Sequence, residues 1–251
     1  HESSIDTVQL LSYHTDDIDN NNNAHNALSI AVGFSSTTSD INTVKFLLDL
    51  GANINYLLYT NHNNYLSIFL VGIISCLTVN INNLEACKLL LDRGADINTR
   101  DINKINALDY VFMCKDNVNT EDRSRIIDFL LENNINREKS RVLIYMLYNK
   151  QVLVRDFIKL VEHDYDVNAQ DTDYNTCLMH IVSLLSKDDL DYDYKKNLLD
   201  ILEYLVYHDK IDFSLKNSRV HDIFDVAHEM HCNYFLDLYK YKDMIKDPGY
   251  I

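Results

Sequence analysis

The sequence predicts an all-α fold, a solenoid of stacked helix-turn-helix units with long inter-helix loops. An apolar segment with helical spacing recurs along the chain, at residues 44–55, 87–98, 127–136, 157–168 and 201–213. A shorter apolar segment precedes each of these copies. The chain has 5 glycines and 1 proline in 251 residues, too few for the tight turns of a β-sandwich. Its 47% hydrophobic content indicates that it folds.

The longer segments end as helices end. Residues 44–55 and 87–98 align without a gap, and each has a glycine, Gly51 or Gly94, directly after its last apolar turn. A helix C-terminus favours a left-handed residue at this point, which glycine adopts without strain. In the third copy Asn133 or Asn134 takes the same place, since asparagine tolerates that conformation.

The shorter segments complete each unit. They stand at residues 26–31, 64–69, 106–111 and 175–182, with degenerate copies at 142–147 and 223–227. One helical hairpin cannot bury the apolar faces of both its helices, so neighbouring units must stack. We therefore expect a single domain over residues 1–251. It comprises a leading cap at 1–21, repeats at 22–57, 58–100, 101–137, 138–170 and 171–214, and a trailing cap at 215–251.

Charge and hydropathy exclude several classes of partner. With 23 basic and 38 acidic residues the formal net charge is −15, which repels nucleic-acid phosphates and anionic membranes. The longest apolar stretch, residues 67–79, is interrupted by Gly72, Ser75 and Thr78, so no transmembrane helix is predicted. The start lacks the pattern of a secretory signal and an initiator methionine, and we interpret the chain as a fragment.

The sequence predicts no enzyme, no cofactor and no metal. The five cysteines are irregularly spaced, which favours buried thiols in a reducing compartment over disulfides or zinc. His228 and His231 flank Glu229 at i and i+3, whereas the zincin motif needs i and i+4. The acidic stretch 188–194 lacks the glycine and final glutamate of an EF-hand. His180 is predicted to be a structural histidine.

The residues named so far resemble ankyrin repeats. The run G-A-D-I-N-T-R-D at 94–101 is specific for that family, and the resemblance covers nearly the whole chain, although the T-P-L-H part of the pattern is eroded. The resemblance implies an ankyrin-repeat solenoid with an extended protein-binding face. It also makes Asn98 and Asn168 candidates for hydroxylation. We prefer a structural role, in which each asparagine side chain hydrogen-bonds to the backbone of the loop.

The departures from the usual repeat resemble one branch of the family. Extra residues lie between the paired helices, at 34–40, 77–83, 114–122 and 186–197. Together with the Asn- and Ile-rich composition, they are similar to the poxviral ankyrin-repeat host-range proteins. That resemblance implies a protein of the host cytoplasm that binds an innate-immune or cell-death signalling protein. It also implies a link to a host cullin ubiquitin ligase through an F-box-like segment, which is absent from this chain. The alternative is a cellular ankyrin scaffold or adaptor.

Candidate partner-binding residues lie on the loop tips that follow the longer segments. Tyrosine is favoured because it offers a large contact area at low entropic cost. Leu57 and Leu58 have an alternative role, packing under the adjacent repeat. The candidates are Tyr56, Leu58, Tyr59 and His62 on the first tip, Arg100, Asp101, Asn103 and Lys104 on the second, and Asp171, Asp173 and Tyr174 on the third. The acidic third tip would steer a basic partner.

Overall fold

A computed structural model describes residue 19 and residues 26–33, 41–60, 64–114, 119–138, 140–150 and 152–246. Within these residues twelve helices follow one another: α1 (Ala27–Gly33), α2 (Ile41–Asp49), α3 (Ile68–Thr78), α4 (Leu84–Asp92), α5 (Ala107–Met113), α6 (Thr120–Glu132), α7 (Val142–Leu147), α8 (Val154–Glu162), α9 (Cys177–Leu185), α10 (Tyr192–Tyr207), α11 (Ile223–Glu229) and α12 (Asn233–Lys246). A short 3-10 turn, Ile81–Asn83, precedes α4.

The helices come in consecutive pairs, a first helix and then a second, as the repeats predict. This confirms the all-α repeat fold. The leading cap predicted at residues 1–21 lies outside the described residues apart from Asp19. The second half of the inter-helix loop predicted at 186–197 is helical, because α10 already begins at Tyr192.

The chain divides into two compact units, residues 1–136 and residues 137–251. In the first unit the paired helices bury an apolar core that includes Phe69, Ile73 and Leu90. In the second, Phe157 and Phe235 are among the side chains that are fully buried. No helix among the described residues is both long and apolar enough to span a bilayer.

Four second helices, α2, α4, α6 and α8, end in a left-handed residue, as the sequence predicts. Gly51 and Gly94 have φ of 90° and 93°, and of the two candidate asparagines it is Asn134 that has positive φ, at 59°. Asp164 fills the same place after α8, with φ of 62°. At each of these ends the next amide bonds back to a carbonyl of the last helical turn, as in Ala95 N–H to Leu90 O at 2.9 Å.

Four of the first helices, α3, α5, α9 and α11, are capped at their start by a side chain. Ser67, Asn106, Thr176 and Asp222 each accept a hydrogen bond from a backbone N–H of the helix that follows. Asn106 and Asp222 form full capping boxes with Asp109 and Asp225. These caps stand where the usual repeat has the threonine of T-P-L-H, so the eroded motif keeps its physical role. They also set the direction in which each loop tip enters its helix.

Residues 57–67 depart from the helical pattern. Leu57–Thr60 (β1) and Asn64–Ser67 (β2) pair as an antiparallel hairpin, in a register that sets Tyr59 opposite Tyr65. Strand residues alternate between two faces, and this alternation buries Leu58 while leaving Leu57 and Tyr59 exposed. The sequence analysis predicted a loop tip on the first part of this stretch and a short helical segment from residue 64. Residues 64–67 are instead a strand, and the helix begins at Ile68.

Asparagine side chains tie successive loops together within each unit. In the first unit, the side-chain oxygen of Asn55 accepts from Asp96 N–H at 3.2 Å and that of Asn98 from Asn136 N–H at 2.7 Å. In the second, Asn168 accepts from Asp212 N–H at 2.9 Å and donates to Lys210 O at 2.8 Å. We call these contacts the asparagine bridges. They give Asn98 and Asn168 the structural role that we preferred.

Candidate partner-binding surface

Three loop tips share one turn, which we call the tip turn: residues 101–105, 171–175 and 217–221. In each, the first residue's N–H donates to the fifth residue's carbonyl, and the fourth residue's N–H donates to the first residue's carbonyl. The first residue is Asp101, Asp171 or Asn217. Its side-chain oxygen accepts the fifth residue's N–H at 2.8, 2.9 and 3.1 Å, respectively. One side-chain oxygen therefore fixes each tip turn.

The fourth residue of every tip turn is left-handed and is not glycine. Lys104, Tyr174 and Val220 have φ of 65°, 62° and 65°. This conformation is costly for L-residues and most of all for a β-branched one such as Val220. Tyr174 is 57% exposed and Val220 66% exposed, so burial of these side chains does not offset the cost. The backbone hydrogen bonds of the turn hold them in place.

The hairpin carries an aromatic pair at the surface of the first unit. The rings of Tyr59 and Tyr65 lie with their centroids 5.2 Å apart, and the two residues are 44% and 47% exposed. At the base of the hairpin, the hydroxyls of Ser67 and Thr99 are 2.7 Å apart, which links β2 to the loop before the 101–105 tip turn. The two tyrosines are therefore exposed on a strand pair that this hydrogen bond stabilises.

The predicted first-tip residues divide into surface and core. Tyr59 is exposed and Tyr56 is half-buried, whereas Leu58 is buried and supports the hairpin from beneath. His62 lies outside the described residues. Of the two roles considered for Leu57 and Leu58, packing applies to Leu58, since Leu57 is exposed.

The second-tip residues also divide. Asp101 is buried and accepts hydrogen bonds from Ile105 N–H and from the Tyr110 hydroxyl at 2.9 Å. The Arg100 side chain donates to the backbone oxygen of Lys104 at 2.8 Å. The side chains of Arg100 and Asp101 therefore both stabilise the turn itself. Asn103 and Lys104 are exposed.

In the third tip turn, Asp171 belongs to a chain of side-chain hydrogen bonds. His180 Nε2 lies 2.8 Å from Asp171 Oδ2, and His180 Nδ1 lies 2.7 Å from the Tyr148 hydroxyl. Burial raises the pKa of Asp171, but the N–H of Asn175, the His180 ring and the N–H of Asp173 together hold it below its usual range. Burial, and then the charge of Asp171, raise the pKa of Tyr148. His180 is thus structural, as predicted, while Asp173 and Tyr174 remain exposed.

Three surface residues escaped the sequence reasoning. Tyr65 was detectable from the two apolar strands flanking an Asn-rich centre, a hairpin signal. Val220 aligns with Lys104 and Tyr174 in the tip turns, but the eroded repeat around it hid the match. Tyr148 carries no local signal, because its partner His180 lies 32 residues further along the chain.

The reactive side chains are placed for packing. Burial, and then the charge of Asp166, raise the pKa of the Cys177 thiol to about 12. A hydrogen bond with Cys76, and then burial, raise the pKa of Cys87. A thiol with a raised pKa is a poor nucleophile. Across the described part of the chain, no three His, Cys, Asp or Glu side chains form a group that could hold a metal ion.

Comparisons with known proteins bear on the fold. The ankyrin-repeat family model matches residues 74–102. The ankyrin-repeat protein EF0377 is 20% identical, with a TM-score of 0.57 over 90% of this chain and 97% of that one. The ankyrin-repeat domain of Bcl-3, of the IkappaB family, is 18% identical, with a TM-score of 0.52 over 87% of this chain and 100% of that one. No curated protein matches the chain. The fold is therefore that of the ankyrin repeats.

Proposed function

We propose that this chain of ankyrin-repeat fold is a non-catalytic protein-binding module. The observation that carries the proposal is the set of exposed aromatic and aliphatic side chains on braced tips, namely Tyr59, Tyr65, Tyr174 and Val220. Tyrosine is enriched among the residues that dominate binding energy, and a residue whose backbone is already fixed loses less entropy on binding. The buried thiols and the structural role of His180 support a binding role over a catalytic one.

We extend the proposal to the kind of partner. The long inter-helix insertions and the resemblance to poxviral host-range proteins support a host innate-immune or cell-death signalling protein, bound in the host cytoplasm. Such a partner would be blocked or presented to a cullin ubiquitin ligase. The alternative is a cellular scaffold or adaptor. Sequencing the complete gene and asking whether it encodes an F-box-like segment separates the two.

The test uses the tip tyrosines one at a time. Full-length protein is cross-linked in host cells, the retained protein is identified and purified, and its affinity for the chain is measured by surface plasmon resonance. Tyr59→Ala and Tyr174→Ala are each expected to weaken binding about 10- to 100-fold, the range for a hot-spot tyrosine.

The matched control is Tyr192→Ala. Tyr192 is 79% exposed in the first turn of α10 and lies on no tip. It is expected to leave the affinity unchanged. Equal affinities for wild type, both tip variants and the control would refute the proposed surface.

A further inference from the structure

The hairpin of residues 57–67 has outer edges to which no third strand pairs within the described part of the chain. In an antiparallel pair such as β1 and β2, alternate residues of each strand direct their N–H and C=O groups away from the partner strand. A row of outward donors and acceptors is a template for another strand. The hairpin can therefore take up one more extended segment at an edge.

β1 is the more open of the two strands. Leu57 and Ser67 lie opposite each other across the hairpin, yet Leu57 is 53% exposed and Ser67 is 3% exposed. Ser67 is enclosed because it caps α3 and its hydroxyl contacts that of Thr99. The difference within this pair selects the β1 edge as the one that an incoming segment can reach.

The hairpin lacks the features by which folded proteins protect a strand edge. Edge strands are usually blocked by charged side chains, above all lysine, or by proline. Neither β1 nor β2 contains such a residue, and residues 50–84 carry no Asp, Glu, Lys or Arg, although 24% of the chain is charged. The edge is therefore open to a strand. An uncharged strand suits it best, because residues 50–84 offer a charged one no opposite charge.

The exposed face of the hairpin defines the side chains that this segment needs. Strand residues alternate between two faces, so Leu57 and Tyr59 lie on one face, and Tyr65 lies opposite Tyr59. Side chains directly opposite each other on neighbouring strands interact, and pairs of aromatic and β-branched residues are among the favourable ones. An added segment with β-branched residues at alternate positions would cover part of this exposed face.

We propose that an uncharged, extended segment of a protein partner adds to β1 as the third strand of this sheet, with β-branched residues placed against Leu57 and Tyr59. The inference rests on the proposed protein-binding function and specifies how the partner is recognised. Hydrogen bonds to the β1 edge hold its main chain, and the exposed face selects its alternate side chains. A second copy of this chain is a poorer occupant, because each copy has a net charge of −15 and like charges repel.

The test is an NMR titration of the whole ¹⁵N-labelled chain with a peptide of alternating threonine and valine. The peptide is N-methylated at alternate residues, so that it offers one hydrogen-bonding edge and cannot stack into fibrils. Shifts are expected in the amides of residues 57–60 and not in those of the tip turn at 171–175. A second peptide, N-methylated at every residue, loses its remaining donors and is expected to bind at least about tenfold more weakly.

A substitution on β1 tests the edge from the side of the chain. Leu57→Lys introduces the charge that protects natural edges, and is expected to weaken binding of the single-edge peptide about tenfold. Val79→Lys is the matched control, because Val79 is 42% exposed and lies at the end of α3 that is opposite to the hairpin. It is expected to leave the affinity unchanged. Thermal unfolding of each variant verifies that it folds.

Several outcomes would overturn the assignment. They are absent shifts at residues 57–60, equal binding of the two peptides, or equal affinities of Leu57→Lys and the wild type. An equal loss of affinity in Leu57→Lys and Val79→Lys would do the same. Sedimentation velocity of the chain alone tests the other occupant: a wild-type dimer that Leu57→Lys separates would mean that a second copy pairs with β1.

Failure of the strand addition is distinguishable from failure of the proposed function. If Tyr59→Ala and Tyr174→Ala release the protein partner while the peptide does not bind, only the strand addition fails. If the peptide adds to β1 while both tip variants keep the partner, the proposed tip surface fails.

Discussion

The tip turns at residues 101–105 and 171–175 follow the same backbone path, but different side chains complete them. In the first unit, the buried Asp101 is bonded to the hydroxyl of Tyr110. In the second, the equivalent Asp171 is bonded to His180, which in turn is bonded to Tyr148. The comparison teaches that the side-chain acceptor at the first position defines the turn, while the side chain that hydrogen-bonds to this acceptor differs between the two turns.

The helix ends repeat this lesson. After α2 and α4 the first unit uses Gly51 and Gly94, whereas after α8 the second unit uses Asp164. The described residues of the second unit contain no glycine at all. Its left-handed positions are therefore filled by side chains that carry a conformational cost, which the hydrogen bonds around them offset. Substitutions at these positions measure the conformational cost and the stabilising hydrogen bonds separately in the two units.

The largest effect is expected for His180→Ala. It removes two hydrogen bonds, one of them to a carboxylate, and should lower the free energy of unfolding by about 2–3 kcal/mol. Tyr110→Phe removes a single hydrogen bond from the equivalent turn, and we expect about half that loss. Urea unfolding followed by circular dichroism measures both. Equal losses would mean that Tyr148 adds nothing to the second turn.

Gly94→Ala should be the next largest. An alanine at φ of 93° is strained, and we expect a loss of about 1–2 kcal/mol in the free energy of unfolding. Open space surrounds the position, so the loss reports backbone strain and not a clash. Asp164→Gly, at the matching helix end of the second unit, should instead gain at most about 0.5 kcal/mol, because aspartate tolerates the left-handed conformation better than most residues do. Thermal unfolding of both variants decides whether the two helix ends differ in this way.

Val220→Gly should give a gain that is smaller than the loss expected at Gly94. Glycine removes the strain of a β-branched residue at φ of 65°, but it also increases the entropy of the unfolded chain, and we expect a net gain of about 0.5–1 kcal/mol. Lys104→Gly in the first unit should gain less, because lysine is not β-branched. A loss of stability in Val220→Gly would show that the exposed valine contributes packing.

Asp171→Asn should change the pH dependence more than the stability. The pKa of Asp171 is lowered in the folded chain, so this carboxylate contributes stability above about pH 4, and that stability is lost as the pH falls through the folded pKa. Asn217 makes the same turn with an amide oxygen, so the variant should keep the turn. Acid unfolding below pH 4 should be less steep in the variant than in the wild type. An acid-unfolding curve that is the same in the variant and the wild type would rule out a contribution of this carboxylate to the pH dependence of stability.

The sequence predicted the repeated architecture because that architecture depends on local signals. Helical spacing and the glycine or asparagine stops each act over a few residues, and they indicated the paired helices. The short segment predicted at 64–69 was misplaced, because its first four residues form a strand. The hairpin was missed because its first strand was assigned to a loop tip by its place after a helix, and its second strand to the short helical segment at 64–69. Only packing against the neighbouring repeat decides which pattern prevails.

The candidate surface was less predictable, because burial of a tip residue depends on distant partners. Asp101 and Leu58 were predicted at the surface, but Tyr110 engages Asp101 and the hairpin covers Leu58. Asp173 and Tyr174 lie at the surface because they follow a turn whose hydrogen bonds are local. The Tyr148–His180–Asp171 chain depends on a contact between two repeats, for which a single sequence has no signal.

The asparagine bridges have a consequence for engineering. Each bridge is made by a side chain of one repeat and a backbone amide of the next, so its donor and acceptor are always supplied by different modules. Deletion or transplantation of the repeat at 58–100 would therefore break a contact at both of its junctions. Recombination should succeed best where the recipient module brings its own Asn55, Asn98 or Asn168 counterpart to the junction.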